Sequence, residues 1–284
     1  MNKMRWIAGG AFGIGAVMLL VSGFSAMASN TSGYDAYKTA LKNTKAATSI
    51  TANLDLTVTD NGAKLFAGTS DMKWNRELNT GSLSATFGDS AQKHAVNVFR
   101  QEGKVIFKTS DNEVYRVTEH NDRNWGQHGA EPNPPKVVGQ VFDALIGNIK
   151  ELATVENAAD GGKKAELHLS GGQIPVIANV LGTLAVSKLA ESDQWDLSFP
   201  KLRDNIKVEA IHLDANINAN NFLEQQSVEI TIAGTDDSGN KHNLVLLLHV
   251  NFSDFNETVT ESIDLTGKQT LEIQNDGSKR GWNH

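Results

Sequence analysis

"SITANLDLTVTDNG", residues 49–62, decides the fold. Ile50, Ala52, Leu54, Leu56 and Val58 fall on one side of an extended chain, and Ser49, Thr51, Asn53, Asp55, Thr57 and Thr59 fall on the other. Alternation with a period of two marks a strand with one buried and one wet face. Asp60-Asn61-Gly62 then signals a tight hairpin. The return strand, from about Ala63 to Arg76, changes parity between Leu65 and Trp74, which predicts a β-bulge.

The pattern continues outward from this hairpin. Leu83 to Phe87, Val96 to Arg100, Val105 to Thr109 and Val114 to Val117 read as short strands separated by Gly, Asp, Asn and Ser. About six antiparallel strands follow one another in this way. Before them, Gly33 to Ala47 places Tyr34, Tyr37, Leu41 and Thr44 at helical spacing, with Ser32 as N-cap. After them comes a loop, His120 to Pro135, with three prolines.

Two apolar helices are expected next. Lys136 to Ala153 puts Val138, Val141, Phe142, Leu145, Ile149 and Leu152 on one side, and Val137 and Ile146 widen that face. "NAADGGKK" breaks it, and "AELHLS" reads as one strand. Ile174 to Ala190 is the second helix, entered through Gly171-Gly172, with Pro175 in its first turn. Its polar stripe is only Asn179, Thr183 and Ser187, whereas Ile177, Val180, Leu181 and Leu184 belong to an apolar surface too wide for one sheet face to cover. The rest of the cover is the neighbouring helix, an apolar ligand, a partner or a membrane. Three further strands follow around Ile211 to Ile217, Val228 to Ile232 and "HNLVLLLHVNF". Leu244 to Leu248 is unbroken apolar, which predicts cover on both faces there. A strand-like tail runs to about Gln274.

The leader gives the clearest local signal. Lys3 and Arg5 precede an apolar run from Trp6 to Phe24, and Ala26-Met27-Ala28 fits a small-x-small cleavage site. The alternative is an uncleaved anchor, since about nineteen apolar residues can just span a bilayer. Either way the body lies outside the cytoplasm, secreted or on the cell surface. The division expected is therefore residues 1–28 as signal peptide or anchor, 29–276 as one domain and 277–284 as a frayed tail.

Composition excludes several functions. The chain has 284 residues, 39% hydrophobic and 21% charged, an ordinary globular balance. Without Lys3 and Arg5 it carries 24 cations against 33 carboxylates, a net −9. That opposes a nucleic-acid partner, which needs a cationic surface. There is no cysteine, so disulfides, thiolate metal sites, a cysteine nucleophile and an acylated lipobox are all absent. No catalytic motif is present, and no enzyme, cofactor or metal site is expected. His242 and His249 are seven apart on one strand and face opposite sides. His120, Asp122 and His128 share a loop without a metal-binding spacing, and His168 reads as a surface or edge histidine.

The order of these elements, a leader, a helix, an antiparallel run, two apolar helices and more strands, resembles the LolA/LppX-like superfamily of envelope lipoprotein carriers. "ELHLSGGQIPVIANVLGTLA", Glu166 to Ala185, is also similar to a stretch in uncharacterised exported proteins of Gram-positive bacteria with that fold. The resemblance implies an α+β fold: a single curved, unclosed antiparallel sheet, a half-barrel of about 9–11 strands, with apolar helices in its concave face. It also implies an apolar ligand, a lipid or lipoprotein acyl chain. The cavity would be lined by Val138, Val141, Phe142, Leu145, Ile177, Val180, Leu181 and Leu184. Relatives of this fold also serve as stress-sensing regulators, so an envelope protein-interaction module with a filled core is the alternative.

Overall fold

Asn61 and Gly62 have φ of 50° and 82°. That is the left-handed pair a two-residue hairpin turn demands. They join β1 (Ser49–Asp60) to β2 (Ala63–Asn75) in the computed structural model, which describes residues 33–119, 151–174 and 199–273. Val58 pairs with Phe66 and Thr59 with Lys64, so Leu65 is the extra residue of a bulge. This is where the change of parity begins. Leu65 is partly buried against a cluster formed by Leu169, Ile174, Leu202, Val208, Ile232 and Leu244.

The meander runs on through β3 (Thr80–Gly88), β4 (Lys93–Gln101), β5 (Lys104–Thr109) and β6 (Asn112–Glu119). A second series comprises β7 (Thr154–Asn157), β8 (Lys163–Ser170), β9 (Leu202–Ile217), β10 (Leu223–Asp236) and β11 (Lys241–Ser253). β1 pairs with β11, which fuses the two series, and β12 (Thr270–Glu272) adds parallel to β6. Among the described residues the result is one unclosed sheet of 12 strands, an open half-barrel in the order β12-β6-β5-β4-β3-β2-β1-β11-β10-β9-β8-β7. Its edges, β7 and β12, are only 4 and 3 residues long. Short edge strands offer little template for pairing with another chain.

Three expectations are corrected. The helix expected over Lys136–Ala153 does not reach its end: Glu151 and Leu152 form a turn, and Thr154 starts β7. β-Branched Thr154 and Val155 favour extended backbone, and Ala158–Gly162 closes β7 onto β8 through an Ala158 N–H···O Gly162 bond of 2.9 Å. A hairpin, rather than one strand, therefore precedes Gly171. Ile174, expected to start the second helix, is extended (φ −77°, ψ 118°), although Gly171 (φ 53°) does turn the chain sharply. The tail is not a strand throughout; only Thr270–Glu272 is.

The remainder of the tail is a strap across one face of the sheet. Thr258 N donates to Ser49 Oγ at 2.9 Å, Glu261 N to Ser82 Oγ at 3.3 Å and Ile263 N to Gln101 Oε1 at 2.7 Å. Lys73 pairs with Glu261 at 2.7 Å. Backbone donors that have left the sheet ladder thus find side-chain acceptors on β1, β3 and β4. Ser49, Thr51, Ser82 and Thr258 are buried as a result.

Helix α1 (Gly33–Ala46) packs on the other face, against β7 to β10. Tyr37, Ala40 and Leu41 meet Ala165, Ala215, Ile217 and Leu223. Thr44 Oγ1 accepts from Leu223 N at 2.9 Å. The backbone at Gly33 is crowded against β7: a Cβ there would lie 2.0 Å from the Thr154 carbonyl oxygen.

Candidate functional site

Strand register builds an apolar wall. Leu167, Leu213, Val228, Leu248, Leu56, Gly68 and Phe87 stand opposite one another on β8, β9, β10, β11, β1, β2 and β3. A second row comprises Leu169, Ile211, Ile230, Leu246, Val58 and Phe66. Directly paired residues share a face, so each row is one continuous stripe. Phe66 extends the wall sideways through Phe87 and Phe199, with ring centroids 6.4 and 6.3 Å away.

Burial along the wall is uneven. Leu169, Val58, Val228 and Leu248 are buried, whereas Leu54, Leu56, Leu213, Ile230, Phe66 and Phe87 are only half-buried. Among the described residues, α1 is the one α-helix, and it packs mainly against β7 to β10. The eight cavity-lining residues expected from sequence, Val138, Val141, Phe142, Leu145, Ile177, Val180, Leu181 and Leu184, all lie outside the described residues. So does the loop trio His120, Asp122 and His128.

A polar pair interrupts the wall. Gln226 is 2% exposed and accepts from Tyr37 Oη at 2.9 Å through Oε1. Burial pushes the Tyr37 hydroxyl pKa well above its usual value, with the Gln226 bond opposing it, so the phenol stays neutral. The Gln226 Nε2 has no hydrogen-bond partner among the described residues.

The opposite face is polar. A groove of about 380 Å³ crosses β1 to β4, lined by Asn53, Asp55, Thr69, Asp71, Thr86 and Asn97 among others. Much of its polarity is spent internally: Asn53 Nδ2 donates to Asp71 at 2.6 Å and Ser84 to Asn97 at 2.8 Å. Val245 and Leu247, the outward members of the apolar run on β11, are half-buried there.

Two histidine sites stand on the sheet, and neither follows from a sequence motif. His242 sits between the two hairpin turns, with Nδ1 2.6 Å from Asp60 Oδ2 and Nε2 3.3 Å from Asp236 Oδ2. The first contact is a hydrogen bond; the second is an ion-pair contact without hydrogen-bond alignment. The bond to Asp60 raises the imidazole pKa above its usual value, partly opposed by burial. Asp236 is held down to about 2, chiefly by the Asn240 side chain and backbone. The second site joins Glu166, His168 and Asp214, whose ligand atoms all lie within 4.8 Å of one another. His212 packs beside His168, ring centroids 4.8 Å apart. The sequence signal was there as "ELH" and "HLD", two i, i+2 pairs. Only the β8–β9 register shows that the pairs face each other.

No family model matches the chain, and no curated protein does. Among solved structures it is similar to a LolA superfamily protein from Nitrosomonas europaea, at 8% identity, over 84% of this chain and 97% of that one, with a TM-score of 0.23. It is also similar to a β-barrel-like protein of a domain of unknown function from Brucella abortus, at 10% identity, over 73% of this chain and 99% of that one, with a TM-score of 0.19. No residue role is carried across from either.

Proposed function

We propose that this chain is a non-enzymatic, exported cell-envelope protein that binds or carries an apolar ligand, a lipid or lipoprotein acyl chain, against the apolar wall of its sheet. The observation that supports this best is the pair of apolar rows running across six or seven strands, with half-buried Leu54, Leu56, Phe66 and Phe87 toward the β1–β3 side. An acyl chain laid there gains about 0.8 kcal/mol for each methylene buried. The wall is uncharged along both rows, which suits a hydrocarbon and not a polar metabolite. Export follows from the leader, Lys3 to Ala28.

Native mass spectrometry of gently purified protein, followed by lipid extraction, tests this reading. A copurifying lipid is expected, together with saturable binding of an environment-sensitive apolar dye that Leu56→Gln weakens. No lipid and no saturable dye binding would overturn the carrier reading and favour an envelope protein-interaction module with a filled core.

A further inference from the structure

We propose that Glu166, His168 and Asp214 form a surface site for a divalent transition-metal ion on the polar face of β8 and β9. The site is independent of the apolar wall on the opposite face.

The argument starts from register. Glu166 pairs directly with Asp214, and His168 with His212. Two carboxylates directly opposed on one face repel, and a sheet ordinarily avoids that pairing. Here the ladder places them together and sets two imidazoles beside them. His168 Nε2 is already 3.4 Å from Asp214 Oδ1, and the three ligand atoms fall within 4.8 Å. Ligands around zinc lie about 2.0–2.2 Å from the ion. Small rotamer changes would close the three atoms onto one ion, and the side chains are free to make them: His168, Asp214 and Glu166 are 53%, 39% and 31% exposed.

The donor set selects the metal class. One imidazole nitrogen and two carboxylates suit Zn²⁺ or Mn²⁺, whereas Mg²⁺ and Ca²⁺ prefer all-oxygen shells and Cu⁺ prefers sulfur. Water completes the coordination on the open side. Without metal, Lys164 pairs with Glu166 and partly offsets the repulsion. The Lys164 ammonium is therefore a competitor that the ion displaces. His212 packs on the His168 ring and stands 3.7 Å from Glu229, its pairing partner on β10. The bound ion cross-links β8 to β9 directly behind Ala165 and Ala215, the seat of α1.

Isothermal titration of untagged, EDTA-treated protein with ZnCl₂ at pH 7.5 tests the site. One ion per chain is expected, with a micromolar Kd. His168→Ala and Asp214→Asn should each weaken binding by at least about tenfold, since losing even an outer-shell partner costs about 10–100-fold. Lys164→Gln should bind as tightly as wild type or more tightly, and His249→Ala, on β11, should bind as wild type. Amide exchange along β8 and β9 should slow when Zn²⁺ is added. The proposal is overturned if no saturable binding occurs, if His168→Ala and Asp214→Asn bind like wild type, or if Mg²⁺ binds as tightly as Zn²⁺.

Discussion

Replacing His242 by alanine should destabilise the protein by an amount that depends on pH. The Nδ1 bond to Asp60 is 2.6 Å long, and the His242 and Asp60 side chains are each only 14% exposed. A hydrogen bond to a charged group at such a site contributes about 1.5–3 kcal/mol. The 3.3 Å contact with Asp236 adds little, because an unaligned ion pair near the surface is weak. At pH 5.5 the substitution should therefore cost about 1.5–3 kcal/mol. The folded pKa of His242 lies above its unfolded value of 6.5. The charge contribution is thus complete below pH 6.5 and is lost as pH rises through the folded pKa. Above it the neutral ring can still donate to the Asp60 carboxylate, but the attraction of its own positive charge is gone. The gap between wild type and His242→Ala should narrow between pH 5.5 and pH 9. Asp236 does not confuse this window, since its pKa of about 2 lies well below it. Urea denaturation of both proteins across that range measures the difference. A gap that stays constant, or widens toward pH 9, refutes an imidazolium clamped between the two hairpin turns.

Gln226→Leu should cost about 1–3 kcal/mol because it removes the acceptor of a buried hydrogen bond from Tyr37 Oη, and a double-mutant cycle with Tyr37→Phe, read by denaturation, should show coupling between the two positions. Gly33→Ala should cost about 1–3 kcal/mol by forcing α1 away from the Thr154 carbonyl, visible as a lower thermal midpoint. Ser49→Ala should speed hydrogen exchange of the Thr258 amide and loosen the strap, at a cost of about 1 kcal/mol to global stability. Gly62→Ala should also destabilise the β1–β2 turn, since φ of 82° suits glycine, and it is read in the same denaturation series.

Local chemistry was legible from the chain alone. The alternation from Ile50 to Val58, the Asn61-Gly62 turn, the bulge beginning at Leu65 and the amphipathic α1 all follow from period, turn residues and side-chain size within a few positions. β7 was not legible, because four residues are too few to establish a period. Nor was the strap, whose hydrogen bonds join Thr258, Glu261 and Ile263 to acceptors 162 or more residues away.

By itself the sequence determined that a mainly antiparallel sheet with one apolar face would form, because each strand carries its own alternation. Which strands become neighbours was decided only in three dimensions. β1 pairs with β11 across nearly 200 residues of chain, and that single pairing turns two meanders into one wall. The same step set Asp60 against His242, and the β8–β9 ladder set Glu166 against Asp214 and His168 against His212. The physical reason is that period-two alternation specifies the face on which a side chain stands but not the strand opposite it. An apolar wall, a clamped imidazole or a cluster of Glu166, His168 and Asp214 arises from what register brings together.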